Sequence, residues 1–133
     1  MTDLVFFYGT LMSGFERPGR ARLDPLLEPL GRGSIRASLF DLGIYPAAIP
    51  STDSRVWGEV HRMRDIDAVL AALDEIEGYR PAEPDQSLYT RVETEVILAD
   101  GRAAGAWTYF YNAPLGRAQR IESGDYLEHL KVK

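Results

Sequence analysis

Leu4-Val5-Phe6-Phe7-Tyr8-Gly9-Thr10-Leu11 is the stretch on which the fold turns. Leu4 to Tyr8 is an unbroken run of apolar and aromatic residues. A half-exposed strand would alternate, so the run reads as a buried strand. Gly9-Thr10 follows directly and ends it in a tight loop. A buried strand that stops at a glycine exposes successive backbone N–H groups at the sheet edge, and such groups can form a nest for a carboxylate. No G-x-x-x-x-G-K-[ST] pattern follows, so the loop is not a nucleotide-binding P-loop. Taken alone, Gly-Thr after a strand is an ordinary turn.

Working outward, Arg20 to Leu30 has the composition of a short helix, its extent limited by Pro18, Pro25 and Pro29. Ser34 to Leu42 reads as a strand running into a Gly43-Ile44-Tyr45-Pro46 turn. Arg55 to Met63 alternates, with Val56, Gly58 and Val60 on one face and Trp57, Glu59 and His61 on the other. Gly58 within that strand marks a bulge or a close backbone approach. Asp65 to Glu77 is the clearest helix, with Asp65 as N-cap and Gly78 where a left-handed residue ends it. Tyr89 to Leu98 and Ala103 to Tyr111 are two further strands, joined across Asp100-Gly101, a strong hairpin signal. A short helix is expected within Leu115 to Leu130. Strands on both sides of one clear helix predict a single α+β domain over residues 1–133 with a strongly curved or barrel-like mixed sheet. A doubly wound βαβα order is not seen.

Composition narrows the chemistry. The 133 residues contain no cysteine, which removes disulfides, thiolate nucleophiles and thiolate metal ligands. His61 and His129 are the only imidazoles, far apart in sequence and without a close-spaced ligand motif, so no metal site is expected. No G-x-S-x-G elbow presents a serine. A net charge of −5 argues against nucleic acid or an anionic membrane as partner. The N-terminus has no signal-peptide features and no apolar stretch approaches the ~20 residues of a membrane span, so the expected location is cytoplasmic. What remains is carboxylates, hydroxyls and backbone groups.

On a helical wheel started at Ile66, Val69, Leu70, Leu73 and Ile76 fall at about 300°, 40°, 340° and 280°, forming one apolar stripe. Glu77 falls at about 20°, inside the stripe, whereas Glu75 lies at about 180° and Asp74 on the border at about 80°. A carboxylate on a core-facing stripe must be paired, reach a cavity, or hold a proton. The negative end of the helix dipole adds to the cost of its charge. Both effects raise a pKa toward the range a general acid/base needs at neutral pH. The alternative is a carboxylate bent into solvent or paired with an arginine such as Arg80 or Arg91. Glu59 is expected on a solvated or ion-paired face, Tyr45, Tyr109 and Tyr111 as core or rim aromatics, and the two histidines as surface or structural groups.

These segments together resemble the gamma-glutamylcyclotransferase-like family. The resemblance is carried by Phe7-Tyr8-Gly9-Thr10-Leu11, Asp41-Leu42-Gly43-Ile44-Tyr45-Pro46 and Val56-Trp57-Gly58-Glu59-Val60. It continues, in the family order, through Leu73-Asp74-Glu75-Ile76-Glu77-Gly78-Tyr79, Tyr89-Thr90-Arg91 and Ile121-Glu122-Ser123-Gly124-Asp125-Tyr126. The resemblance implies a compact mixed β-barrel with flanking helices. It implies Glu77 as the catalytic glutamate, substrate held by Tyr8, Gly9, Thr10 and Leu11 largely through their backbone, and no cofactor. The implied reaction cyclises a gamma-glutamyl group to 5-oxoproline with release of an amine or amino acid. The loop amides would bind either the alpha-carboxylate or the oxyanion. Three other functions stay open. One is a non-catalytic member that binds the same kind of small ligand, and another is a pathway-specific lyase that removes a gamma-glutamyl protecting group. The third is a plain interaction module, which a large exposed apolar patch with no pocket near Glu77 would favour.

Overall fold

A computed structural model describes residues 2–131. Six strands, β1 (Leu4–Phe7), β2 (Leu27–Asp41), β3 (Pro46–Met63), β4 (Tyr89–Leu98), β5 (Ala103–Tyr111) and β6 (Gln119–Ile121), form one sheet with two helices, α1 (Ile66–Glu77) and α2 (Tyr126–Lys131). β1 lies between β3, antiparallel from Leu4 opposite Arg62 to Phe7 opposite Glu59, and β5, parallel through Val5 and Trp107. β5 pairs antiparallel with β4, and β4 pairs with β2 where Gly33, Ser34 and Ile35 face Leu98, Ile97 and Val96. β2 and β3 pair along most of their length. The circuit β1-β3-β2-β4-β5-β1 therefore closes into a five-stranded mixed barrel, and β6 extends it beside Leu39–Asp41. Closure leaves the barrel strands without free edges. All four residues of β1 are buried, so side chains on both of its faces are covered, which an unbroken apolar run suits.

Phe6, Ile35, Leu39, Val56, Val60 and Val96 are essentially fully buried, and the Thr108 hydroxyl among them donates to the Phe6 carbonyl at 3.1 Å. Val56 and Val60 occupy the buried face of β3 as the alternation predicts. Gly58 between them is explained by close approach, not by a bulge: a Cβ there would lie 2.1 Å from the Phe7 carbonyl oxygen. On the other face Trp57 is partly exposed, Glu59 pairs with His61 at 3.1 Å, and His61 is buried.

Two stretches differ from expectation. Arg20 to Leu30 is not one helix but a single 3-10 segment, Ala21–Leu26, after which β2 begins at Leu27. Pro25 sits inside the 3-10 segment, and Pro29, which has no N–H for a ladder, sits where the β2–β3 register shifts before Gly31. The second difference is that β2 and β3 run far beyond Ser34–Leu42 and Arg55–Met63. Pro46 to Ser54 pairs or loops within β3, where Ala37 faces Pro50 and the neighbouring Arg36 faces Arg55. The intervening Ser51-Thr52-Asp53-Ser54 has turn composition but serves as an irregularity within a continuous pairing. Strand β6 was not anticipated. It is three residues long and packs on its neighbour through one buried side chain, Ile121. The short helix expected in the tail is α2. Among the described residues, no helix is long and apolar enough to cross a membrane.

Candidate functional site

Immediately after β1 the chain makes a turn in which the Met12 N–H donates to the Gly9 carbonyl at 3.0 Å. The N–H groups of Thr10 and Leu11, at the centre of that turn, stand outside this bond. The turn is pressed against the start of β3: a Cβ on Gly9 would lie 2.7 Å from Pro46 Cγ and 2.9 Å from Pro46 Cδ. Only glycine fits without displacing the loop. Tyr8 anchors it from below, its hydroxyl donating to the Tyr109 carbonyl at 2.7 Å and accepting from the Ala48 N–H at 3.2 Å.

Helix α1 brings its C-terminal end to the same place. Asp65 caps its start by accepting from the Ala68 N–H at 3.1 Å. At its end the Tyr79 N–H reaches the Asp74 carbonyl at 2.8 Å and the Gly78 N–H reaches that of Glu75 at 3.3 Å, with Gly78 at φ 70°. These are the two bonds of a Schellman termination, and they fix Glu77 as the last residue before the left-handed glycine. Val69, Leu70, Leu73 and Glu77 form the buried face, Glu75 is exposed and Asp74 intermediate, as the wheel predicts. Glu77 retains only 9% exposure. Burial pushes its carboxyl up from 4.5 to about 7, against the opposing pull of Arg17.

The neighbouring cation is Arg17, not Arg80 or Arg91. Arg80 is exposed beside Glu83 at 3.9 Å, and Arg91 pairs with Asp74 at 3.2 Å. Arg17 Nη1 stands 3.9 Å from Glu77 Oε1, beyond hydrogen-bond length, and donates to Thr10 Oγ1 at 2.5 Å. Its Nη2 donates to the Ile76 carbonyl at 3.3 Å, and the guanidinium carbon lies 5.5 Å from the centre of the Tyr45 ring. The weak contact with Glu77 explains why burial wins: a charge-assisted hydrogen bond would hold the carboxylate ionised, and at this distance none is made.

Tyr8, Gly9, Thr10, Leu11 and Glu77 all line one concavity with about 350 Å³ of unfilled space, part of it open to solvent. Arg17, Tyr45, Pro46, Tyr89 and Tyr109 share its walls. The Tyr89 hydroxyl donates to the Pro46 carbonyl at 2.9 Å and that of Tyr109 to Asp74 Oδ1 at 2.6 Å. Burial raises the pKa of the Tyr8, Tyr89 and Tyr109 phenols, so each is a neutral donor. Tyr45 and Tyr109 are thus wall aromatics, in keeping with their expected place, whereas Arg17 and the wall position of Tyr89 were not anticipated. Arg17-Pro18-Gly19 carries no periodic signal, because the segment that delivers it is irregular. Among the described residues no cluster of three or more His, Asp or Glu side chains could hold a metal ion.

A family model described as gamma-glutamyl cyclotransferase, AIG2-like, matches residues 5–128. The chain is 33% identical over 129 residues to the gamma-glutamylcyclotransferase family protein YtfP of Escherichia coli strain K12, covering 96% of this chain and 98% of YtfP. The solution structure of E. coli YtfP superposes with a TM-score of 0.63 at 31% identity, covering 95% of this chain and 97% of YtfP. An AIG2-like protein from Mus musculus matches with a TM-score of 0.69 at 23% identity, covering 92% of this chain and 88% of the mouse protein. YkqA from Bacillus subtilis matches with a TM-score of 0.72 at 23% identity over 99% of this chain, which spans only 42% of YkqA. At that identity the last two likenesses show the barrel fold.

Proposed function

The chain belongs to the gamma-glutamyl cyclotransferase, AIG2-like family, and from that premise we propose that it cyclises a gamma-glutamyl group to 5-oxoproline with Glu77 as general acid/base. The observation that carries the proposal is a carboxyl of pKa about 7, buried at a helix end, in one concavity with the Gly9-Thr10 turn. A carboxyl poised near neutrality can take a proton and return it within one turnover.

In the proposed step the substrate's own alpha-amine is the nucleophile. Its nitrogen attacks the gamma-carbonyl carbon, a new C–N bond closes the five-membered ring, and the Glu77 carboxylate takes the amine proton. The original amide C–N bond then breaks, and its nitrogen leaves with the proton returned from Glu77. Atoms and charge balance without an added reactant. Holding the folded-back conformer supplies much of the acceleration, since ring closure is governed by proximity. The Thr10 and Leu11 N–H groups are proposed to bind the alpha-carboxylate. The apolar walls keep water from Glu77 and sustain its raised pKa.

The test is 5-oxoproline release by the purified protein across gamma-glutamyl amino acids, gamma-glutamylamines and glutathione. Turnover of any one class supports the proposal. No turnover, together with measurable binding of the same compounds, would favour a ligand-binding member of the fold.

A further inference from the structure

We propose that Arg17 is a specificity-determining residue of this site, selecting gamma-glutamyl compounds whose leaving group carries its own carboxylate over gamma-glutamylamines that lack one. This rests on the cyclotransferase function proposed above and concerns the half of the substrate that function leaves open.

Arg17 is the one cationic residue among the described residues lining the concavity. Its head is ordered largely by uncharged partners: the Thr10 hydroxyl at 2.5 Å, the Ile76 carbonyl at 3.3 Å and the Tyr45 ring at 5.5 Å. A guanidinium has five N–H donors, and these two bonds engage only part of the set. The nearest carboxylate, Glu77, stands 3.9 Å away and does not take up the fork. The result is a held, partly unspent cation at the edge of an otherwise apolar wall. The phenols of Tyr8, Tyr89 and Tyr109 cannot substitute for it, because their protons go to Tyr109, Pro46 and Asp74.

Position gives the cation its ligand. Glu77 must reach the departing nitrogen to protonate it, so that nitrogen arrives beside Glu77 Oε1. In a gamma-glutamyl amino acid the leaving group's carboxylate is joined to that nitrogen through a single carbon. Arg17 Nη1, 3.9 Å from Oε1, lies within the span of that linkage. A planar fork is suited to such a carboxylate, and it gains further when Glu77 takes up the amine proton and ceases to compete. A gamma-glutamylamine has only a methylene hydrogen at that point.

The closing experiment compares two substrates that differ by one group: gamma-glutamyl-alanine and gamma-glutamyl-ethylamide. For wild type, kcat/KM is expected to favour the former by about 10- to 100-fold, the usual worth of a charge-assisted hydrogen bond. In Arg17→Gln the ratio should fall to about 1–3, with Arg17→Lys recovering part of it. Any change in Glu77 acidity affects both substrates alike and cancels in the ratio. A wild-type ratio near one, or a large ratio that survives in Arg17→Gln, would overturn the assignment. If neither compound is turned over, 5-oxoproline release from the other gamma-glutamyl compounds, glutathione included, decides the cyclotransferase function separately. Calorimetric Kd values of the same two compounds for wild type and Arg17→Gln then decide on Arg17: a preference lost on substitution supports the assignment, and equal affinities refute it.

Discussion

Arg17 Nη1 stands 3.9 Å from Glu77 Oε1, close enough for the guanidinium to oppose the effect of burial and too far to cancel it. Burial sets the proton affinity of Glu77, and the guanidinium from the irregular loop lowers it only in part. Their separation has consequences that can be measured.

The first concerns pH. Burial raises the Glu77 carboxyl from 4.5 to about 7. A carboxyl whose pKa is higher folded than unfolded favours folding when protonated. This contribution is complete below pH 4.5 and is lost as pH rises from 4.5 through about 7. The shift corresponds to a loss on the order of 3 kcal/mol. Carbon-13 NMR of labelled glutamate should show a Glu77 midpoint near 7. Unfolding free energies of Glu77→Gln should lack the corresponding decline across that window. A midpoint at the ordinary carboxylate value would mean that water or a cation solvates the group.

The second isolates Arg17. Removing the guanidinium in Arg17→Gln leaves burial unopposed, so the Glu77 pKa should rise further. The limb of the kcat/KM profile that reports Glu77 ionisation should move to higher pH in step with the NMR midpoint. If both stay where they are in wild type, Arg17 has no electrostatic hold on the site.

The third is a test of the barrel seam. A Cβ at position 58 would sit 2.1 Å from the Phe7 carbonyl oxygen. The obstacle is backbone, so β1 and β3 would have to separate. Gly58→Ala should cost about 1–3 kcal/mol or more, as overpacking does. It should also loosen the Tyr8–Leu11 turn, which β1 leads into. Chemical denaturation would show the loss as a lowered midpoint. An unchanged midpoint would mean that the two strands can part freely there.

Much of this was legible in the residues themselves. The unbroken Leu4–Tyr8 run announced a doubly buried strand, and Asp65, Gly78 and the apolar stripe fixed α1 and placed Glu77 inward. These are local signals, set by caps, periodicity and strand burial within a few residues. Arg17 was not legible, because its relation to Glu77 spans sixty positions and depends on how an irregular loop returns to the helix end. Tyr89 became a wall residue through barrel closure, which no local pattern specifies. The full extent of β2 and β3 was hidden for the opposite reason. Pro29, Pro46, Pro50 and Ser51–Ser54 give strong local turn signals, which long-range pairing overrode. The identity of the cation beside Glu77 was hidden too: Arg80 and Arg91 are near in sequence or strand order, yet Arg80 lies exposed beside Glu83 and Arg91 pairs with Asp74.

The measurement that bears most directly on the account is the turnover of Glu77→Gln. Glutamine keeps the size and hydrogen-bonding reach of the side chain but cannot take up and return the proton. With a gamma-glutamyl substrate that wild type converts, 5-oxoproline release should fall by about 10²–10⁴-fold. Binding of that substrate should persist, because the Gly9 turn and the aromatic walls are untouched. Glu75→Gln, exposed on the opposite side of the same helix, should be nearly silent. If Glu77→Gln instead keeps wild-type turnover while Asp74→Asn or Glu59→Gln abolishes it, the proton is carried by a different carboxylate and the proposed mechanism is wrong.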